Sequence, residues 1–436
     1  MDFSSMIGGS APKDSKQSIE YTAQAASSII SGESKLTIGE RGLTMTTLLC
    51  TVEVPFAEVN ELKLEDYTVY IKADSGDYAL SRMGNWCQPF YDALYNAYND
   101  AVLRSLFIDN APILTAKGDY RYNEQSVNSA GFAPIHVYEN NVTTLPPDLS
   151  ARRVPLCFVN GMDKGSFELT LKLDTGESYT YAKLGYETAP FAAAVDRQIR
   201  MLREKTLAAV KCIDPTLTAI QASQLAGLMP LGAATPIMRI AGITPSFVAA
   251  LEKKIAATRA NESYLAFKQL CDPSLIWVGF RENDQVKQEN GNTKSDGMTA
   301  ASLVSHLSEL DTLSPAQDDD ETVDPYMMWM IAPSPDGKQA AVEFAVADSA
   351  TFIYRTGGDF IAFARQLNRA LEAISFRREV IRLSDAELLK PDNADYYMAV
   401  KRTSALQFVR MNYAGRVIHS SVESWKRKLT EYWNGN

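Results

Sequence analysis

The chain has 436 residues, of which 46% are hydrophobic, and it carries a net charge of −10. A chain of this length is expected to form roughly two to four domains, each able to bury a core. The negative charge disfavours unassisted binding to nucleic acid or anionic lipid, because both depend on Lys and Arg neutralising phosphate.

Membrane-spanning and secretion patterns are missing from the sequence. No run of about 18 uncharged apolar residues occurs, and Met1–Ile7 has neither the basic start nor the apolar run of a secretion signal. We therefore expect a cytosolic protein. The five cysteines are scattered and none forms a C-x-x-C pair, which argues against a disulfide framework and a Cys-rich zinc site.

Residues 1–34 are rich in Ser, Gly and Ala and poor in aromatic residues. This composition predicts a flexible N-terminal segment. A short helix near Ile19–Ile30 is the alternative.

Residues 54–94 recur about 100 residues later in the chain. The matched residues include Pro, Asn, Asp and Gly, and they keep nearly the same spacing in both copies. They are Val54-Pro55, Asn60, Asp74, Gly76 and Pro89-Phe90 in the first copy, and Val154-Pro155, Asn160, Asp174, Gly176 and Pro190-Phe191 in the second. Repetition over this length predicts two units with the same architecture.

The first unit, residues 35–110, is predicted to be a small antiparallel sheet followed by one helix. β-Branched and aromatic residues between turn residues predict its strands. These are expected at Leu36–Ile38, Leu43–Met45, Cys50–Val54 and Tyr67–Ile71. After Gly84, apolar residues recur at helical spacing, and this helix would close the open end of a curved sheet. They are Phe90, Leu94, Ala97 and Ala101.

The second unit, residues 111–212, repeats this design. Strands are expected at Ile113–Thr115, Ile135–Tyr138, Val154–Phe158 and Phe167–Leu171. The stretch Tyr122–Ala130 is expected to be a long loop between strands. The closing helix is predicted from apolar residues spaced three or four apart. They are Phe191, Val195, Ile199 and Leu202.

The order of these elements, the late glycines Gly84 and Gly185 and the amphipathic closing helices resemble the pleckstrin-homology-like (PH-like) superfold, with two such domains in tandem. The paired arrangement also resembles the tandem module of the nucleosome-handling histone chaperone FACT, in the run from Arg153 to Leu169. The resemblance implies an α+β fold of small curved antiparallel sheets, each closed by a C-terminal helix. Such a fold hosts many functions, so function has to be argued from particular sites.

Residues 213–274 lose the strand pattern and predict a helical insert of three short helices. Asp214-Pro215 and Thr244-Pro245 mark two of the helix starts, because Pro suits the first turn.

Residues 275–385 are a candidate for a third, degenerate PH-like unit, because strands, Gly357-Gly358 and a Phe-led helix follow in the same order. A polar, acidic stretch at 281–325 predicts a disordered loop that interrupts this unit, with a helix at Thr299–Leu310 within it. Residues 386–436 are expected to form C-terminal helices.

The sequence contains no local catalytic motif. The three histidines, His136, His306 and His419, lie far apart, whereas a His-activated nucleophile or a zinc site needs its side chains to converge. No P-loop, H-E-x-x-H or EF-hand pattern occurs, and the run at 318–321 predicts solvated charge rather than a cation site. We therefore predict no enzyme activity, no cofactor and no metal.

The last third of the chain is its basic part. Helix faces in water, contact with the acidic run at 318–321, and contact with an acidic partner or nucleic acid are three interpretations of this charge. The candidate binding surface consists of Arg377, Arg378, Arg402, Arg410, Arg416, Lys426, Arg427 and Lys428. Lipid-headgroup binding is not favoured, because Arg41, Lys117 and Arg121 are sparse and mixed with acidic residues.

The leading hypothesis from the sequence is a non-enzymatic cytosolic scaffold or adaptor. Its tandem PH-like domains would bind protein partners through exposed sheet edges or the groove beside the closing helix. Two alternatives remain: a nucleic-acid-associated factor that uses the basic C-terminal third, and a hydrolase whose site forms between domains.

Overall fold

The computed structural model describes residues 20–124, 127–258, 260–282, 326–345 and 350–434. The fold is α+β, with three antiparallel sheets and several helices. The chain forms two compact units. The first contains the described residues up to Val102 together with Pro147–Leu149, and the second contains Leu103–Pro146 and the residues from Ser150 onwards.

The first sheet has seven strands in the order β4-β3-β2-β1-β7-β6-β5. Its strands are β1 (Tyr21–Ala26), β2 (Ser31–Ile38), β3 (Gly42–Thr46), β4 (Thr51–Pro55), β5 (Val59–Glu65), β6 (Thr68–Ala73) and β7 (Gly76–Ser81), and helix α1 (Cys87–Ser105) follows. Phe90 and Tyr98 of α1 are buried. The Phe90 ring lies 5.1 Å from the Tyr21 ring, and the Tyr98 ring lies 6.2 Å from the Phe56 ring. The helical stripe therefore packs on the sheet.

The first strand lies where the sequence suggested a flexible segment or a helix. Tyr21, Ala23 and Ala25 are buried while their neighbours are more exposed, which is the two-residue period of a strand. The expectation is wrong for the part of that segment from Tyr21 onwards. Because Ala23 and Ala25 are small, the alternation of apolar and polar residues in this strand is weak in the sequence. Residues 1–19 lie outside the described residues.

The second sheet has seven strands in the equivalent order, β11-β10-β9-β8-β14-β13-β12. Its strands are β8 (Leu114–Glu124), β9 (Val127–Val137), β10 (Asn141–Thr144), β11 (Arg152–Pro155), β12 (Val159–Lys164), β13 (Glu168–Leu173) and β14 (Ser178–Ala182), followed by α2 (Thr188–Ile213). Pro55 and Pro155 end the equivalent edge strands β4 and β11. The loop expected at Tyr122–Ala130 is wrong for its described residues, which form the end of the long β8–β9 pair, because Tyr120, Tyr122 and Glu124 alternate inwards. Residues 125–126 lie outside the described residues.

The core of the second sheet contains one face of α2. Phe191, Val195 and Ile199 are buried in the same cluster as the strand residues Leu169 and Leu171. This burial follows the predicted helical stripe.

The helical insert contains four helices in the described residues. They are α3 (Ala219–Leu228), α4 (Ile237–Ala241), α5 (Pro245–Ala256) and α6 (Asn261–Leu270). Pro245 lies in the first turn of α5, as expected. The Thr218 and Gln221 side chains form a capping box at α3.

The third sheet is a simple antiparallel meander with strands in consecutive order, β15 to β20. These are β15 (Thr235–Pro236), β16 (Trp277–Glu282), β17 (Tyr326–Pro333), β18 (Gln339–Phe344), β19 (Ala350–Arg355) and β20 (Tyr413–Ile418). Among the described strands, this order does not repeat that of the first two sheets. Arg281 and Glu282, expected at the start of the loop, pair with β17. The rest of that loop, 283–325, with its expected helix and His306, lies outside the described residues.

Six helices are described after β19. They are α7 (Phe360–Ala373), α8 (Glu379–Arg382), α9 (Asp385–Leu388), α10 (Ala394–Arg402), α11 (Ser404–Asn412) and α12 (Val422–Trp433). The C-terminal part is thus mainly helical, as expected, but β20 lies within it.

A buried charged network fixes α7 to the second sheet. Arg153 pairs with Glu372 at 3.0 Å, and Arg369 pairs with Glu177 at 3.1 Å and with Glu372 at 3.3 Å. Arg369 Nη2 also donates to the Arg153 carbonyl oxygen at 3.1 Å. Such a network resists disruption, because removing one partner leaves a buried charge uncompensated.

Candidate functional site

The outer edge of β5 in the first unit is covered by a short extended segment, Pro147–Leu149. The Leu62 backbone N–H donates to the Pro147 carbonyl oxygen at 2.7 Å, and Glu61 and Asp148 form an antiparallel bridge. The Tyr98 hydroxyl group of α1 donates to the Asp148 carbonyl oxygen at 3.3 Å. The segment therefore lies between the edge strand and the closing helix.

In the second sheet, the start of the equivalent edge strand β12 borders a cavity of about 240 Å³, which we call the β12–α2 groove. Val159 and Asn160 of β12 form one wall, and α2 and the end of α3 form the others. The α2 and α3 lining residues are Ile199, Leu202, Arg203, Thr206, Ala226 and Gly227.

The edge strands β5 and β12 have the same register. Leu62 faces Ile71 and Met162 faces Leu171, and both strands carry a bulge immediately before this part of the ladder, at Asn60 and at Asn160. The Met162 backbone N–H therefore points outwards, as the Leu62 N–H does. Met162 is the position at which the second sheet can accept an added strand.

A second cavity of about 230 Å³ adjoins the groove; we call it the arginine cavity. The two cavities share Phe158, Asp174 and Pro230. The other charged residues that line the arginine cavity are Arg239 of α4 and Arg365 of α7.

The floor of the arginine cavity is aromatic and fixed. Trp277 and Phe360 are buried and pack edge to face, with ring centroids 6.2 Å apart. The Asn368 side chain exchanges two hydrogen bonds of 2.9 Å with the backbone of Ala234, which joins α7 to the chain before β15. This pairing holds the wall in place.

The tight turn after β13 places Asp174 at the junction of the two cavities. Its backbone N–H donates to the Phe158 carbonyl oxygen at 2.9 Å, and Gly176 adopts a φ of +94°. The Asp174 residue is exposed on one side, and protein atoms lie around much of its carboxyl group. Burial raises the pKa of this group to about 6, although the charges of Arg365 and Arg239 oppose the rise.

Three residues of the predicted basic surface contact other groups of the protein with their side chains. Arg402 is only 2% exposed and donates to the Met398 carbonyl oxygen, so it does not belong to an exposed surface. Arg410 donates to the Val380 carbonyl oxygen and pairs with Asp385. Arg378 lies over the Phe344 ring. The sequence showed their charge but not their burial.

The other five predicted residues lie on several elements. Arg377 lies over the Phe107 ring and pairs with Asp109 at 3.4 Å. Lys426 donates to Gln269 at 3.2 Å, and Arg427 pairs loosely with Glu431. The exposed residues Arg416 and Lys428 lie on β20 and α12. We find no single concave site that gathers these residues among the cavities described above.

His419 has close polar partners. Its Nε2 lies 3.0 Å from the Thr351 hydroxyl oxygen and 3.4 Å from Glu343 Oε1, and the Trp425 ring N–H donates to the same hydroxyl group at 2.8 Å. The hydrogen bond to Glu343 raises the pKa of His419. Thr351 and Glu343 are buried, so the hydroxyl group is closed to a substrate and the cluster packs α12 on the third sheet.

His136 of β9 is separate from this cluster. Its Nδ1 lies 3.3 Å from the Tyr138 hydroxyl oxygen, and burial lowers its pKa. In the part of the chain that the structure describes, no group of three His, Cys, Asp or Glu could hold a metal ion. No described helix is both long and apolar enough to cross a membrane.

Comparison with known proteins adds little to this site. No protein-family model and no curated protein matches the chain. Among solved structures, the chain is similar to one titled "Structure of the Spt16D Pob3N heterodimer", with 12% identity over 36% of this chain and 84% of that chain. The TM-score of this match is 0.16, and at that value it carries no argument about function.

Sequence reasoning missed the two cavities. The repeat did mark Asn160 and Asp174, because Asn60 and Asp74 stand at the same offsets in the first copy. In that copy the Asn60 amide donates to the Asp74 carboxylate at 2.9 Å. A matched polar pair in both copies was the available signal.

Proposed function

We propose that this protein is a non-enzymatic binding protein that holds an extended peptide segment of a partner protein in the β12–α2 groove. One observation carries this proposal: in the first copy, the chain's own Pro147–Leu149 segment pairs with β5, the edge strand equivalent to β12. Two sheets of the same strand order, with a helix packed on each, support it, and we propose that they are tandem PH-like units.

Backbone pairing would supply the affinity and the groove would supply the selectivity. The Met162 N–H would donate to a carbonyl oxygen of the added strand, as in other strand-addition complexes. Ile199 and Leu202 line the groove with apolar side chains. Arg203 has no hydrogen bond or ion pair with another described residue, so it can pair with a carboxylate of the peptide.

The two alternative functions gain no support from the described residues. The basic residues that suggested nucleic acid are partly buried and widely placed. The His419 cluster that could have suggested a hydrolase has an inaccessible hydroxyl group. A non-enzymatic role therefore stays the proposal.

A peptide library displayed on phage and selected against the full chain tests the proposal. The decisive variant is Met162→Pro, which removes the outward N–H at an edge strand, where Pro is tolerated. Selected peptides should bind the wild-type chain and lose at least about tenfold in affinity for Met162→Pro, the loss expected for about 1.4 kcal/mol.

A matched control is Asp163→Ala, whose side chain is exposed on the same strand and whose backbone N–H is kept. Its melting temperature and peptide affinity should equal those of the wild-type chain. If no peptide is enriched, or if selected peptides bind Met162→Pro as well as the wild type, the proposed groove is wrong. Substrate turnover abolished by one polar-to-Ala change would contradict the non-enzymatic role.

A further inference from the structure

The charges of the arginine cavity are not neutralised within the protein. Its charged lining residues are Arg239, Arg365 and Asp174, so the cavity carries one excess positive charge. No hydrogen bond or ion pair links either arginine to another described residue. Both guanidinium groups nevertheless act electrostatically on the same Asp174 carboxyl group, so both charges lie near this part of the cavity that they line.

The two arginines come from different elements that a rigid frame holds together. Arg239 lies in α4, directly after β15, and Arg365 lies in α7. The double hydrogen bond between Asn368 and Ala234 links these same two stretches of chain. This link fixes the stretches of backbone that carry the two arginines, so that the arginine side chains are the part of these stretches left to become ordered when the ligand arrives.

The apolar lining of the arginine cavity favours a ligand with an apolar part beside its charged group. Trp277, Phe360 and Phe158 are buried around the cavity. Met238, Leu275 and Ile361 line it with partly exposed apolar side chains. Ligand sites are commonly apolar cavities with a few well-placed polar groups.

We propose that the arginine cavity binds a small anionic ligand with an apolar or aromatic body. Arg239 and Arg365 bind a carboxylate or phosphate group through charge-assisted hydrogen bonds. The apolar body packs on Trp277 and Phe360. This inference is independent of the peptide groove, because the arginines do not line that groove.

Titration calorimetry on the full chain tests the inference with four probes: phenyl phosphate, benzoate, inorganic phosphate and benzyl alcohol. We expect phenyl phosphate or benzoate to bind and the neutral benzyl alcohol to bind at least about tenfold more weakly, the difference expected for about 1.4 kcal/mol. Comparing phenyl phosphate with benzoate identifies the preferred anion, and inorganic phosphate shows how much the apolar body contributes.

The variants Arg239→Gln and Arg365→Gln locate the site, and both replace exposed side chains. The combined variant should keep the wild-type melting temperature and lose at least about tenfold in affinity for the anionic probe. Asp174→Asn should bind the anion more tightly at pH 8, because it removes the like charge at the junction of the cavities. Arg416→Gln, an exposed arginine on β20, is the matched control and should bind as the wild type does.

Three results would overturn the inference: no anionic probe binds at millimolar concentration, benzyl alcohol binds as tightly as phenyl phosphate and benzoate, or the combined variant keeps wild-type affinity. The Met162→Pro variant separates this site from the peptide groove. It should keep the anion affinity while it loses the peptide.

Discussion

The first and second copies share a strand order, a bulged edge strand and a helix that follows the last strand, but they differ at the edge of the sheet. In the first copy, Pro147–Leu149 covers β5 and bonds to Leu62 and Tyr98. In the second copy, β12 borders a cavity of about 240 Å³. The two copies therefore differ in that one edge strand has a partner within the chain and the other borders a cavity.

The copies also differ in how they use the matched Asn and Asp. Asn60 and Asp74 bond to each other in the first copy. Asn160 and Asp174 make no such bond, and both line the β12–α2 groove. Asn60 and Asp74 thus connect the bulge to the turn in the first copy, whereas their counterparts line a cavity in the second. A change of this kind can give a structural position a binding role.

The largest expected difference between the copies comes from the residue before the shared Val-Pro pair. Arg153 is buried and paired with Glu372, whereas Glu53 at the matched position is exposed. Arg153→Ala should lower the free energy of unfolding of the second unit by up to about 3–5 kcal/mol, because the buried Glu372 would keep Arg369 as a partner but lose its ion pair with Arg153.

Urea unfolding followed by tryptophan fluorescence measures this loss, since Trp277, Trp329, Trp425 and Trp433 all lie in the second unit. Glu53→Ala is the matched control and should change the stability of the first unit by less than about 0.5 kcal/mol. If Arg153→Ala and Glu53→Ala changed the free energy of unfolding equally, the buried charged network would not account for a difference between the copies.

The second difference concerns the matched edge residues Leu62 and Met162. Leu62 is buried, whereas Met162 is only half-buried beside the groove. Leu62→Ala should cost about 2–5 kcal/mol, because it leaves a cavity in the core, and Met162→Ala should cost clearly less. Hydrogen exchange in β5–β6 and in β12–β13 reports on each edge separately. If Met162→Ala lowers the stability more than Leu62→Ala does, β12 is not the edge strand that lacks an added partner.

The repeat made the shared parts of the copies predictable from sequence. Alternation at Tyr67–Ile71 and the helical spacing from Phe90 onwards indicated the elements that the structure contains. β20 was missed, because Gly415 interrupts a short strand between helices. β1 was missed because two of its inward residues are small.

The cavities could not be predicted in the same way, since their residues converge only through tertiary packing. Asp174, Arg239 and Arg365 lie far apart in the chain, and no local spacing links them. For the predicted basic surface, composition records the charge of Arg402 but not the interior position that it occupies.

The smallest expected difference is a pH dependence that only the second copy should show. His136 faces Thr143, and in the first copy Thr37 faces Thr44 at the same register. Burial lowers the pKa of His136 below the ordinary value of 6.5, so the unfolded chain binds the proton more tightly than the folded one. The contribution of His136 to stability is therefore complete above about pH 6.5 and is lost as the pH falls through the lowered pKa, by at most about 1.4 kcal/mol per pH unit.

His136→Thr, which introduces the residue of the first copy, should remove this slope. Urea unfolding of the wild type and the variant between pH 8 and pH 5 measures it as a difference, in which other titrating groups cancel. His419→Gln is the control of opposite sign: the pKa of His419 is raised, so its contribution is present at low pH and is lost as the pH rises through that pKa. If the stability difference between the wild type and His136→Thr stays constant from pH 8 to pH 5, burial does not disfavour the charged form of His136. The two copies would then respond alike to acid at this position.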